Sequence, residues 1–263
     1  MKKTIAIIVA VMLSVLSCFF AYAENVSLSG YSDEELYALY TSVQQEIQKR
    51  TEEKLPSPTS DFIYASNGQE VRINAYTGTS LDVVIPDEID QVPVTIIYES
   101  AFKNSSVTRV RLPAHLREVG AYAFEYSQRL TGILDIPASV EMIELDAFGR
   151  TNLTGVIINS SFDAPYNPFI DLYEAEFLFI REGMNPTFKN GAFLRCPKMR
   201  IAIIPSSVSF LPDDAFTGCN VLTIITPKGS PAEEWAKSHF FPVDTEHYEE
   251  YVAEYEALYP QHW

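Results

Sequence analysis

Basic side chains are scarce in this 263-residue sequence: 19 Lys and Arg stand against 35 Asp and Glu, a net charge of −16. Duplex nucleic acid demands clustered cations to neutralise its phosphates, so no nucleic-acid partner is expected. The same deficit argues against adhesion to an anionic membrane surface. Histidine is rarer still. His115, His239, His247 and His262 are the only four, and none has a second ligand at His-x-x-x-His or Cys-x-x-Cys spacing. There is no Gly-x-Ser-x-Gly elbow, no P-loop and no dinucleotide-binding fingerprint. Carboxylates are plentiful, as at Asp213-Asp214 and Glu249-Glu250, but nothing sets two of them across a cleft for acid–base chemistry. The expectation is therefore a chain that is not an enzyme, with no cofactor and no resident metal. Oxygen ligands around Asp244, Glu246 and Glu250 leave a calcium site open, without an EF-hand-like loop to support it.

Long apolar runs are missing too, with one exception. Ile5 to Phe20 follows Lys2-Lys3 and precedes Ala21-Tyr22-Ala23, the basic, hydrophobic and small-x-small order of a secretory signal peptide. Residues 1–23 are read as that signal, and the protein as secreted or cell-surface. Val15-Leu16-Ser17-Cys18 loosely resembles a lipoprotein box, so lipidation at Cys18 is the alternative. No later run is long enough to cross a bilayer, and no membrane span is expected after signal cleavage. A hydrophobic fraction of 47% is ample for a packed core.

What the chain does have is a period. Ala-Phe recurs at Phe102, Phe124, Phe148, Phe193 and Phe216, and Pro168-Phe169 fills the one double gap. Some 11 to 13 residues after each Phe, an apolar, β-prone run closes at Pro113, Pro137, Asn159, Arg181, Pro205 or Pro227. Two independent markers thus agree on six units of 22–24 residues. Proline cannot donate to a sheet ladder, which suits the end of a strand. A unit of this length cannot bury its own apolar face, so units must stack and share one core. Val110, Leu112, Val156, Ile158, Leu178 and Ile180 are expected to point inward, with the six phenylalanines as a ladder on the opposite wall.

"VTRVRLP" (107–113), "ASVEMIELDAF" (138–148) and "LTIITP" (222–227) place Ala-Phe, apolar strand and Ile-Pro elements in a recurring order. This pattern resembles the BspA-like leucine-rich repeat family from about residue 80 to about 240. The resemblance implies a curved repeat solenoid, mostly β, and an exported or surface protein that binds proteins of a host or neighbouring cell. The likeness is worn between 160 and 190.

Arrays of this kind need caps. At the front, Ser32 with Glu35 starts a helix to Lys49-Arg50, "KLPSPTS" (54–60) reads as linker, and residues 62–76 form a hairpin about Asn67-Gly68 with a type I′ turn. At the back, Ser230-Pro231 with Glu233 starts a short helix. A second helix from Glu246 aligns Tyr248, Tyr251, Val252, Tyr255 and Leu258. The domain reading is 1–23 signal, 24–60 helix and linker, 61–230 solenoid with its hairpin, and 231–263 helical cap.

Two sites remain open. Cys196 and Cys219 occupy equivalent positions of consecutive units and form either a disulfide or a pair of free buried thiols. Outward strand positions, counted back from each closure, give Arg109 and Arg111, then Ile157, Phe177, Phe179, Ile201, Ile203 and Ile225. That apolar stripe is the candidate protein-binding surface, unless the 160–175 loop or a terminal helix covers it. The functional expectation is a non-enzymatic protein-binding or adhesion module. A structural envelope component, or an enzyme or inhibitor with its site in the 160–190 turn, are the alternatives.

Overall fold

The computed structural model describes residues 55–260, of which Leu55–Ala257 form one compact unit. The expected signal peptide, Cys18, the helix after Ser32, His262 and Trp263 lie outside the described residues.

The repeat sets the architecture. Each turn lays down a longer strand ending before the proline or its stand-in, then a two-residue strand, then the phenylalanine corner. The first wall contains β8 (Thr131–Ile136), β10 (Asn152–Ile158), β12 (Phe177–Ile180), β14 (Ile201–Ile203), β15 (Thr223–Ile225) and β16 (Val243–Asp244), paired in parallel in that order. Next to β8, the parallel pair β3 (Asp82–Val84) and β6 (Arg109–Arg111) is linked to it through the Thr131 N–H bond to Thr108. The second wall begins with an antiparallel hairpin, β1 (Phe62–Ser66) and β2 (Val71–Tyr76). It continues in parallel through β5 (Val92–Ile97), β7 (Glu118–Val119), β9 (Met142–Ile143), β11 (Asp163–Ala164) and β13 (Thr187–Phe188). The short β4 (Glu88–Ile89) pairs back on β5.

Between the walls the phenylalanines stack face to face. Ring centroids are 4.7 Å apart for Phe102–Phe124, 5.1 Å for Phe124–Phe148, 5.7 Å for Phe148–Phe169, 4.8 Å for Phe169–Phe193 and 5.9 Å for Phe193–Phe216. Tyr76 extends the column at 5.3 Å from Phe102. Phe169 is therefore in line although its unit lacks the alanine. Pro168 serves because the corner uses that residue's carbonyl: Phe124 N–H donates to Ala147 O, and Phe148 N–H to Pro168 O in the same way. Proline keeps this bond and forfeits only the one its amide would make, as Ala123 N–H makes to Gly120 O and Ala147 N–H to Glu144 O. β12 keeps register with β10 and β14, so the period survives the worn stretch.

The turn chemistry differs from expectation in one place. The β1–β2 loop spans Asn67 to Glu70, with only Gly68 left-handed at φ 83°, so it is not a type I′ turn. The Asn67 side chain explains this, since its Oδ1 accepts from both Gln69 and Glu70 amides and closes a longer loop. The two-residue turn with both φ positive is Asp90-Gln91, between β4 and β5.

Behind the last turns come two helices. α1 (Pro231–Ser238) is capped by Ser230, whose Oγ accepts from Glu233 N–H at 3.0 Å. α2 (Tyr248–Leu258) follows Asp244, whose Oδ1 accepts from the Glu246 and His247 amides. That carboxylate is engaged by the turn that leads into the helix, and among the described residues no group of three His, Cys, Asp or Glu is gathered as a metal site.

Candidate interaction surface

On a strand, alternate side chains face outward. The pairing register aligns these positions into two columns across the first wall. One runs Ile133, Gly155, Phe177, Ile201, Thr223; the other runs Asp135, Ile157, Phe179, Ile203, Ile225. Further along the same wall, Arg109 and Arg111 hold the outward places. The character of this face thus changes from charged to apolar at β10. The sequence identified the stripe correctly by position.

It is not open. Ile157, Phe177, Phe179, Ile201, Ile203 and Ile225 are all buried, so of the two readings left open, exposed or covered, the structure takes the covered one. The reason is α2. The Tyr255 ring stands edge-on to Phe177 at 5.1 Å and to Phe179 at 5.6 Å. The Tyr248 hydroxyl donates to Glu182, just beyond the end of β12. Tyr248, Tyr251, Val252 and Tyr255 are buried in the aromatic stripe that the helical period placed on one side. The stripe is therefore a seat with a helix already in it.

A polar margin borders the seat. Asn159 Nδ2 donates to Asp135 Oδ1 at 2.5 Å and to Ile136 O at 2.8 Å, and Arg181 Nε donates to Asn159 Oδ1. The Arg181 guanidinium also lies over the Phe179 ring at 5.3 Å. Burial lowers its pKa, while Asp135 and Glu256 of α2 act in the opposite direction. Asn159 and Arg181 occupy the places that proline fills in the other turns. Proline has no side-chain polar group to offer, so these two departures from the repeat create the margin. On α2 itself, burial pushes the Glu254 carboxyl up to about 7.

A second constellation escaped the sequence reading. Charges alternate along consecutive phenylalanine corners: Lys103 to Glu125 at 2.7 Å, Glu125 to Arg150 at 2.6 Å, Arg150 to Asp171 at 3.4 Å and Asp171 to Arg195 at 2.6 Å. Arg150 also meets Asp146 at 2.8 Å and covers the Tyr126 ring at 5.0 Å. Arg195 holds Asp171 through two nitrogens, and that bond keeps the Asp171 carboxyl below the usual carboxylate range. Tyr126, Arg150, Asp171 and Arg195 each sit two residues past the ladder phenylalanine with φ between 55° and 59°. The row's members stand one residue past Phe102 and Phe124 (Lys103, Glu125) and two past Phe148, Phe169 and Phe193 (Arg150, Asp171, Arg195), so no single offset picks out the row. Its acids and bases satisfy one another, so it ties turns together.

The two cysteines are free and buried. Cys219 Sγ donates to Phe193 O at 3.1 Å, and Cys196 Sγ to Phe169 O at 3.6 Å. Of the two readings left open, the structure takes the unbonded pair. Burial raises the Cys196 thiol pKa.

Residues 95–223 match the sequence model of the BspA type leucine-rich repeat region, in six copies. The chain carries a BspA-type leucine-rich repeat array. The match begins and ends inside the stretch over which the sequence resemblance extends. A solved leucine-rich repeat protein of T. pallidum is similar at 21% identity with a TM-score of 0.60, covering 73% of this chain and 99% of that one. This likeness supports the fold alone. A leucine-rich repeat protein from Bacteroides ovatus ATCC 8483 matches at 17% identity and a TM-score of 0.43, covering 66% of this chain and 55% of that one. No curated protein matches the sequence. The BspA-type array ends in a helix-covered sheet face, and no described helix is long and apolar enough to cross a membrane.

Proposed function

We propose that this leucine-rich repeat protein is exported and acts at the cell surface as a non-enzymatic protein-binding or adhesion module. Its partner is a protein of a host or neighbouring cell, and its binding face is the wall formed by Ile157, Phe177, Phe179, Ile201, Ile203 and Ile225. One observation carries the reading. Outward positions of a repeat sheet need not be apolar, as Arg109, Arg111 and Asp135 demonstrate, yet four consecutive strands place large apolar residues there. Such an apolar sheet face requires a covering element; α2 supplies it here, and a partner binds by taking its place. The signal-like N-terminus supports the location.

The test is quantitative capture. Purified protein is immobilised and exposed to extracellular fluid and washed cells, and the bound species are identified and titrated. Specific, saturable capture that falls at least tenfold for Phe177→Ala/Phe179→Ala, with the far-UV spectrum unchanged, is the expected result. Capture unaffected by that pair, or turnover of a substrate by the wild type, overturns the reading.

A further inference from the structure

We infer that the apolar wall is a receptor for an amphipathic helix, that α2 occupies it in cis, and that an aromatic, acidic partner helix takes the same seat in trans. This rests on the protein-binding reading above and names the partner's chemistry.

The seat specifies its occupant. Between Phe177 and Phe179 there is room for one aromatic edge, filled by Tyr255. Seven residues earlier on the helix, two turns away, the Tyr248 hydroxyl donates a hydrogen bond to Glu182. The Arg181 guanidinium borders the seat and interacts favourably with Glu256, so an occupant gains from a carboxylate at that point. The chemistry is thus a helix with tyrosines at i and i+7 and an acid beside the second. Charge complementarity favours it, because Arg181 is a buried cation at the margin of a strongly acidic chain.

α2 is a weak holder of that seat. It has 11 residues, below the length at which an isolated helix persists in water. Glu250 and Glu254 are like charges four residues apart, and no basic residue sits in the last turn to complement the dipole. Glu254 is half-buried, and burial raises its carboxyl pKa. Docking therefore supplies what the helix lacks intrinsically. A partner helix with a lysine in its last turn, facing solvent, competes on better terms.

The test uses the full chain and a fluorescein-labelled peptide of residues 246–260 as the probe. Ala253→Pro breaks α2 at an exposed position without touching the wall. The Ala253→Pro protein is expected to bind the probe saturably and at least tenfold more tightly than wild type. The same probe carrying Tyr255→Asp is expected to lose that binding. Should Ala253→Pro fail to fold by near-UV spectrum and melting, Tyr255→Asp in the full chain replaces it as the open receptor. Equal binding of both probes, or no binding to either folded variant, overturns the inference. Phe177-dependent capture of a protein by the wild type alongside that failure leaves the protein-binding reading standing, whereas peptide binding without any capture upholds the cis seat and overturns the trans partner together with that reading.

Discussion

The ring of Phe177 lies directly across Gly155 on the neighbouring strand, so close that a Cβ on residue 155 would stand inside the ring's edge. Gly155 is in an ordinary strand conformation, so the need is for space and not for a special φ. That vacancy lets Phe177 lie flat beneath Tyr255. Gly155→Ala should push the ring up into α2 and destabilise by about 1–3 kcal/mol, as overpacking of a filled site does. Urea unfolding measures it, with Ile157→Val one pleat away expected to lose only about 0.5–1.5 kcal/mol.

Phe169 is the internal check on the worn unit. It stacks between Phe148 and Phe193 and is fully buried. Phe169→Ala should lower stability by about 3–5 kcal/mol, as much as Phe124→Ala in a regular unit. A loss under 1 kcal/mol in the same denaturation series would show that the ladder is broken there.

The proton balance of α2 has a definite sign. Burial lifts Glu254 from its ordinary value of 4.5 to about 7, so between these pH values the folded protein holds a proton that the unfolded chain releases. Stability must fall as pH rises through that window. His247, raised by its bond to Asp244, adds a loss of the same sign at higher pH. Asp171 runs the other way: its lowered folded pKa gives stability that disappears only as pH drops below the carboxylate range. The difference between wild type and Glu254→Gln therefore isolates Glu254. Unfolding curves at pH 5 and pH 7.5 should show a smaller pH-dependent loss in the variant.

Phe240 terminates α1 in a left-handed conformation, φ 62°, with 94% of its surface exposed. The Phe241 amide reaches Ala236 O at 2.9 Å, closing a Schellman turn whose left-handed place normally belongs to glycine. Phe240→Gly should raise stability by about 1 kcal/mol by removing backbone strain. A thermal melt decides; a lower midpoint would mean the exposed ring makes a contact worth more than the strain.

The order of the chain was legible because the repeat is local and one-dimensional. Spacing of 21 to 24 residues between Phe102, Phe124, Phe148, Phe169, Phe193 and Phe216 brings like positions into register once one turn stacks on another. From this followed the inward and outward columns, the corner phenylalanines and the positions of Cys196 and Cys219. Pro168 needed no structure either, since its place in the period was enough. The charge row from Lys103 to Arg195 was harder to read, because its members shift from one residue past Phe102 and Phe124 to two past Phe148, Phe169 and Phe193.

What the letters could not decide was which surface stays uncovered. Tyr255 lies some 80 residues along the chain from Phe177, and no period relates a terminal helix to a strand column. Whether α2 faces away or folds back depends on the fit of one ring between Phe177 and Phe179, on Gly155 leaving room, and on a tyrosine reaching Glu182. These are distances between parts remote in sequence. Local patterning sets the coil and its two columns, while long-range packing alone turns the apolar column from a bare surface into an occupied seat.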